Sequence, residues 1–226
     1  MRLDKYICQS TTMTRSQAKK VIAQGRITNA ENVIRSTAYK VTENDAISLD
    51  GKLINVRSTR YIMLNKPKDY ICSTVDEQLP SIINLIDVDK AEQLFIAGRL
   101  DADTTGLALI TDDGQWSHKI TSPRKKCNKR YRVQLAEAID DNAVAVFSEG
   151  IQLKSENTPC LPAQLEVLSS NEVLLTISEG KYHQVKRMFA ATGNLVTELH
   201  REQIGEIELD ATLKPGEWRY LTEQEV

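Results

Sequence analysis

The sequence predicts an α+β protein in two parts: a small N-terminal unit of helices and short strands, and a larger unit on a largely antiparallel mixed sheet with flanking helices. Three observations carry this. Residues 1–56 place two helical patterns ahead of a cluster of short strand-like runs. Residues 51–60 lose the pattern and read as the end of that unit and a linker. From residue 60 onward strand-like runs outnumber helical ones and few strand–helix–strand crossovers are evident, which favours antiparallel pairing. The expected domains are therefore 1–56 and 60–226. A chain of 226 residues, 41% hydrophobic and 27% charged, is long enough for two such cores.

In the first unit, Leu3, Tyr6 and Ile7 fall at helical spacing. Thr14-Arg15-Ser16-Gln17 has the form of a capping box, Ala18, Val21 and Ile22 make the apolar stripe behind it, and Gly25 sits where a helix terminates. Lys19 and Lys20 lie off that stripe. Short strands follow at Arg26–Thr28 and Ala46–Leu49, the latter running into an Asp50-Gly51 turn.

The larger unit opens with a strand at Tyr61–Leu64 that ends at Asn65-Lys66-Pro67. Tyr70–Thr74 reads as a second strand, Ile82–Ile86 as a short helix after Pro80, and Asp112-Asp113-Gly114 as a turn. On Lys129–Leu135 the residues Tyr131, Val133 and Leu135 point to one face and Arg130, Arg132 and Gln134 to the other. Asp140 is placed to cap a helix with Ala143, Val144 and Phe147 inward, closed by Gly150. Strands at Ala163–Val167 and Val173–Ile177 precede a helix from about His183 whose buried stripe is Val185, Met188, Phe189 and Thr192. Leu195–Leu199 and Glu217–Leu221 close the sheet.

Net charge is −2, yet the charge is unevenly spread. Residues 1–40 hold eight Lys/Arg against two acids, residues 119–132 hold seven and no acid, and residues 202–226 hold seven acids against two bases. Basic patches of this kind can track phosphates on a near-neutral protein, because attraction is set by charges within about 10 Å at physiological salt. The candidate phosphate contacts are Arg2, Lys5, Arg15, Lys19, Lys20, Arg26, Lys125 and Lys126. Cys8, Cys72, Cys127 and Cys160 form no C-x-x-C pair, which argues against a zinc site or a disulfide framework and fits a cytoplasmic protein. The N-terminus lacks the apolar core of a signal peptide, and no apolar run is long enough to span a bilayer.

The densest chemistry lies in Gly98-Arg99-Leu100-Asp101-Ala102-Asp103-Thr104-Thr105-Gly106-Leu107, between the apolar runs Leu94–Ala97 and Leu107–Ile110. A loop held on rigid elements is where catalytic groups usually sit. Taken by composition alone, it reads instead as a polar turn with its acids facing water. By spacing, Tyr131 reads as a core aromatic, and Lys186 as a helix-edge lysine with its stem on apolar surface.

Three stretches of the second unit resemble the motifs of the pseudouridine synthases, in the family's order: Gly98–Leu107, Lys129-Arg130-Tyr131-Arg132-Val133, and Ile177–Met188. Asn65-Lys66-Pro67 is similar to the start of that family's catalytic domain. Arg2-Leu3-Asp4, Thr14-Arg15, Gly25-Arg26-Ile27 and Asp45-x-Ile47 resemble an S4-type RNA-binding domain, with one departure: Thr28-Asn29-Ala30 stands where the family often has Val-Asn-Gly. Asp112–Pro123 and Tyr182–Met188 are similar to the RsuA subfamily, which acts on 16S (small-subunit) ribosomal RNA.

The resemblance implies that Asp101 is the catalytic nucleophile or base, paired with Lys186, and that Tyr131 stacks on the uracil and helps remove its C5 proton. It further implies substrate contacts by Arg99, Lys129, Ile177, His183, Gln184 and Arg187, with the basic residues above holding RNA. The implied reaction detaches uracil from ribose and rejoins it through C5, and needs no metal, ATP or redox cofactor; no P-loop or dinucleotide fingerprint is present. Ribosomal RNA, naked or in a partly assembled small subunit, is the implied partner, and the chain is expected to act as a monomer. Three other readings stand beside this one: a large-subunit enzyme of the same family, a noncatalytic S4-type RNA-binding protein, and a phosphoesterase holding metal through Asp101, Asp103, Asp112 and Asp113.

Overall fold

The computed structural model describes residues 1–11, 13–55, 59–122 and 125–226. The core of the expected linker, 56–58, and Pro123 and Arg124 lie outside the described residues. The chain divides into two compact units, Met1–Ser58 and Thr59–Val226.

The first unit packs α1 (Leu3–Ser10) and α2 (Arg15–Ala23) on a small sheet of β1 (Ile27–Asn29), β2 (Asn32–Val33), β3 (Ile47–Leu49) and β4 (Lys52–Leu53), in the order β2-β1-β3-β4. All of its pairings are antiparallel. The capping box forms: Gln17 N–H donates to the Thr14 hydroxyl while the Gln17 side chain accepts from Thr14 N–H at 2.8 Å. Leu3, Ile7, Ala18, Ile22, Ile27 and Ile47 are fully buried. Asp50 (φ 51°) and Gly51 (φ 78°) both take left-handed backbone, as a two-residue type I′ hairpin turn requires. Ala30 has φ 50°, so the turn keeps the backbone a glycine would favour, at a cost of roughly 1–2 kcal/mol.

The second unit contains β5 (Tyr61–Lys66), β6 (Phe95–Ala97), β7 (Thr105–Thr111), α3 (Gly114–Thr121), β8 (Lys129–Leu135), α4 (Ala143–Glu149), β9 (Gln164–Ser169), β10 (Glu172–Ile177), α5 (Gln184–Ala191), β11 (Val196–Ile204), β12 (Ile207–Glu208) and β13 (Trp218–Tyr220). They form one nine-stranded sheet in the order β13-β5-β7-β11-β8-β10-β9, with β6 beside β7 and β12 beside β11. β7 and β11 pair in parallel and the other pairings are antiparallel, so the sheet is mixed and largely antiparallel.

Both faces of the sheet are covered around β5 and β7. Ile62, Leu64, Ala108 and Ile110 join the large core that includes Phe147 of α4 and Phe189 of α5. The alternate residues Met63, Leu107 and Leu109 join a second core with Trp116 and Ile120 of α3. A strand buried on both faces reads as a continuous apolar run, which explains Leu107–Ile110.

Several expectations are corrected. Tyr70–Thr74 is not a strand: Ile71 makes one isolated bridge to Ser81 and the rest is bend. Its polar groups go elsewhere, Ser73 C=O accepting from the Ser81 hydroxyl and Cys72 Sγ from Leu100 N–H. The short helix expected after Pro80 forms at Ile82–Leu85, as a 3₁₀-helix. Asp112–Gly114 is more than a turn, because Asp113 caps the unforeseen helix α3, its carboxylate accepting from Gln115 N–H at 2.8 Å and Trp116 N–H at 3.2 Å. Asn142, not Asp140, occupies the N-cap of α4; Asp140 instead accepts from Asn142 N–H at 2.7 Å. Val144 is exposed, and Thr192 lies past the end of α5 in water.

Near the chain's end, Arg219 ties Asp210 and Glu225 together at 2.7 and 2.8 Å. Hydrogen bonds from Thr212 and then Arg219 push Asp210 down to about 2, and Arg219 first, then Thr222, pushes Glu225 down to about 2. Depressed carboxylates contribute stability that is complete above their unfolded values and is lost as pH falls through the folded ones. Between about pH 4.5 and 2 the wild-type chain is therefore expected to lose stability more steeply than Arg219→Met. Urea titrations of both proteins across that window test this, and parallel pH profiles would refute it.

Candidate active site

Residues 98–104 bridge β6 and β7, and two buried cations hold this loop. Lys66, at the end of β5, is fully buried, and its ammonium donates to the carbonyls of Pro67 (2.9 Å), Ala102 (3.0 Å) and Thr104 (2.8 Å). Burial pushes its pKa down. Arg201 of β11 is 1% exposed and donates to Leu107 C=O at 2.8 Å and Gly98 C=O at 2.9 Å. A buried cation persists when its donors are satisfied, and here the acceptors include three of the loop's own carbonyls, those of Gly98, Ala102 and Thr104. Gly106 completes the clamp: with φ +99°, a Cβ there would stand 2.3 Å from Arg201 C=O. The sequence reading assigned no role to Lys66 or Arg201. The available signal was a cation at a core-facing step of an alternating strand, Arg201 two residues from buried Leu199.

Asp101 lines a cavity of about 760 Å³ together with two basic side chains that touch it. His183 Nε2 is 3.3 Å from Oδ1, and Lys186 Nζ is 3.3 Å from Oδ2. Lys186 is closer still to Asp103, at 2.6 Å. The lysine is thus shared between two carboxylates rather than paired with Asp101 alone. Burial opposes the charge of Lys186, but Asp103 and Asp101 outweigh it and its pKa is raised. Burial likewise pushes Asp103 up, and the hydrogen bond and charge of Lys186 bring it below the usual carboxylate range. Exposure separates the acids: the Asp101 side chain is 31% exposed and that of Asp103 68%. A bound base can desolvate the first far more than the second.

Tyr131 and Ile177, neighbours on the β8–β10 face, line the same cavity, as do Arg99, Lys129, His183 and Lys186. Tyr131 is 7% exposed, so it is both a core aromatic and a wall of the cavity. Lys129 donates to Cys127 C=O at 2.8 Å, and burial lowers its pKa. Gln184 and Arg187 are not brought to the cavity. Gln184 is buried, accepting from Lys181 N–H and donating to Glu179. Arg187 donates to Glu156 (2.9 Å), Tyr182 C=O (3.0 Å) and Lys154 C=O (2.7 Å). Both brace the turn ahead of α5 and stand outside the cavity wall.

The four aspartates of the metal reading do not converge. Asp112 and Asp113 follow β7 at the end opposite to Asp101 and Asp103, a span of roughly 20 Å. Asp112 pairs with Arg60 at 2.8 Å, and Asp113 caps α3 and accepts from the Tyr61 hydroxyl. Among the described residues, no group of three His, Cys, Asp or Glu is close enough to hold a metal.

The basic run is less basic in space than in sequence. Arg130 and Arg132 lie among Glu172, Glu202 and Glu208 from the neighbouring strands, leaving Lys125 and Lys126 exposed. In the first unit Arg2 pairs with Asp4 and Arg26 with Asp50. Lys5, Arg15, Lys19 and Lys20 are exposed and form no ion pair among the described residues.

A family model described as RNA pseudouridylate synthase matches residues 60–191, more than half of the chain. The chain belongs to that family. Residues 1–47 match the S4 domain. It is 55% identical over 228 residues to "Ribosomal small subunit pseudouridine synthase A" of Vibrio parahaemolyticus, covering 100% of this chain and 98% of the relative. It is 50% identical over 227 residues to the protein of that name from Escherichia coli K12, with the same coverage. Among solved structures, one described as a pseudouridylate synthase superimposes with a TM-score of 0.73 at 47% identity, covering 100% of this chain and 97% of the other. The two-part architecture is therefore an S4 domain followed by a pseudouridine synthase domain, and the chain is a pseudouridine synthase by family and by fold. Among the described residues no helix is long and apolar enough to cross a membrane.

Proposed function

We propose that the protein converts one uridine of small-subunit (16S) ribosomal RNA to pseudouridine, with Asp101 as the group that engages the nucleotide. The observation that carries this is the placement of Asp101: on a loop clamped by Lys66 and Arg201, between His183 and Lys186, facing a cavity walled by Tyr131 and Ile177. The names of the full-length relatives favour the small-subunit substrate over a large-subunit one. The reaction is an isomerisation: the C1′–N1 bond breaks, C1′–C5 forms, C5 loses a proton and N1 gains one. Asp101 can begin it by attack at C1′ or by removing a sugar proton; both put the same carboxylate against the ribose. The uridine must leave its stack to reach this cavity, at a cost of about a few kcal/mol. Tyr131 and Ile177 then hold the free uracil, with Arg99 at the mouth and Lys129 and His183 beside it. In this reading the protein works as a cytoplasmic monomer on free RNA or a partly assembled subunit.

Tritium release from [5-³H]uridine-labelled small-subunit RNA by the purified protein tests the proposal. Release that persists with a chelator is expected. Tight binding without release would instead favour a noncatalytic RNA-binding protein, and release lost on chelation would favour metal chemistry.

The S4 domain supplies affinity through Lys5, Arg15, Lys19 and Lys20, with Lys125 and Lys126 as further phosphate contacts. Lys19→Ala combined with Lys20→Ala is expected to weaken RNA binding and to reduce the slope of log affinity against log salt by about 1.5–2. Filter binding across a salt series measures this; an unchanged slope would remove these lysines from the interface.

A further inference from the structure

Tyr182 has no role in the reading above. Its side chain is the most exposed of the large apolar ones, at 75%. It is nevertheless not a free surface residue. One ring face stacks on His183, with centroids 3.8 Å apart and planes 20° from parallel. Its backbone is held, because Tyr182 C=O accepts from Arg187 at 3.0 Å and the preceding Lys181 N–H donates to Gln184 at 2.8 Å. His183 takes left-handed backbone, φ 46°, a conformation that costs a non-glycine residue roughly 1–2 kcal/mol. Strain of this kind persists only where surrounding contacts impose it, and it collects at ligand sites. The pair stands at the edge of the cavity, and His183, like Lys186, touches Asp101. The turn thus displays an aromatic ring with one face backed and the other open, next to the carboxylate.

We infer that the open face of Tyr182 is a stacking subsite for a nucleobase flanking the target uridine. This rests on the proposed uridine isomerisation. Moving a uridine into the cavity leaves its neighbour in the strand without a stacking partner. A ring fixed at the rim restores that stack, and every base has a π-face to offer it. The backing by His183 and the grip of Arg187 place the ring before RNA arrives, so little side-chain freedom is lost on binding. Tyr182 is therefore a positioning residue: it holds the strand while Asp101 engages the flipped nucleotide.

The test is filter binding and single-turnover tritium release with the full chain and small-subunit RNA, for Tyr182→Ala, →Leu, →Phe and →Trp. Loss of base–aromatic stacking is expected to weaken RNA binding about 5- to 150-fold in the Ala and Leu variants, with a smaller fall in the rate at saturating RNA. Phe and Trp are expected to restore the affinity, since stacking needs the ring and not the hydroxyl. Wild-type affinity in the Ala variant would overturn the subsite. So would rescue by Leu as complete as by Phe, which would mean apolar area rather than a ring. A loss confined to the saturating rate would overturn it too, placing Tyr182 behind His183 and not against RNA. If the wild-type protein releases no tritium from this RNA, the function itself is refuted. If it releases tritium and the Ala variant binds normally, only the subsite is.

Discussion

Asp101→Asn is expected to abolish pseudouridine formation, by on the order of 10⁴-fold or more, while RNA affinity and thermal stability stay close to wild type. The substitution keeps the size of the side chain and removes the charge that lies 3.3 Å from both His183 and Lys186. Asp103 is the control that gives the result its meaning. Two residues away, it makes the shorter contact with Lys186, 2.6 Å, but it is mostly in water and cannot be enclosed with the base. Asp103→Asn should keep measurable turnover, reduced because Lys186 loses one of the two groups that hold it. Tritium release and filter binding on both variants decide the matter. An active Asp101→Asn protein, checked for deamidation back to Asp, would overturn the site, and an inactive Asp103→Asn protein beside it would move the chemistry to the neighbour.

Lys186→Ala is expected to lower single-turnover tritium release about 10²- to 10³-fold, the cost of removing one preorganised charge from an enclosed site. RNA affinity should change far less, because the ammonium faces Asp101 and Asp103 rather than solvent. Removing it leaves two carboxylates of one loop without the cation they share, and like charges close together oppose ionisation of both. Lys186→Arg should recover part of the rate, since it keeps the charge but changes the shape of the donor. Combining Lys186→Ala with Asp103→Asn should cost less than the sum of the two, because the pair is in contact. A Lys186→Ala variant with weakened binding and a normal chemical rate would assign the lysine to phosphate instead.

The chemistry-bearing residues were legible because local patterns report local structure. The capping box of α2, the Asp50-Gly51 hairpin and the span of β8 are each set by neighbours in the chain, and each forms where the residues indicate. The motif at Gly98–Leu107 is legible for the same reason: its glycines, acids and hydroxyls are contiguous. At two of the places where the reading failed, the deciding partner lay outside the local pattern. Tyr70–Thr74 has strand-forming residues, but its polar groups go to Ser81 and Leu100, so no ladder forms. Asp112–Gly114 looked like a turn because its helical continuation depends on Trp116 and Ile120 meeting a second core behind the sheet.

By itself the sequence determined the two-part α+β architecture, the strands that carry Tyr131 and Ile177, and the loop that carries Asp101. Only the tertiary structure decided what surrounds that carboxylate. It divided Lys186 between Asp101 and Asp103, and set Gln184 and Arg187 as braces of the turn before α5. It neutralised Arg130 and Arg132 with acids from the neighbouring strands, and it showed the loop clamped by Lys66 and Arg201. The reason is the range of the forces. Propensity, capping and turn geometry act over a few residues, whereas the pairing of a buried cation depends on which carbonyls and carboxylates the sheet brings within about 3 Å of it. For Lys66 and Arg201 the acceptors Thr104 C=O and Gly98 C=O lie 38 and 103 residues away, a separation over which sequence pattern carries no contact information.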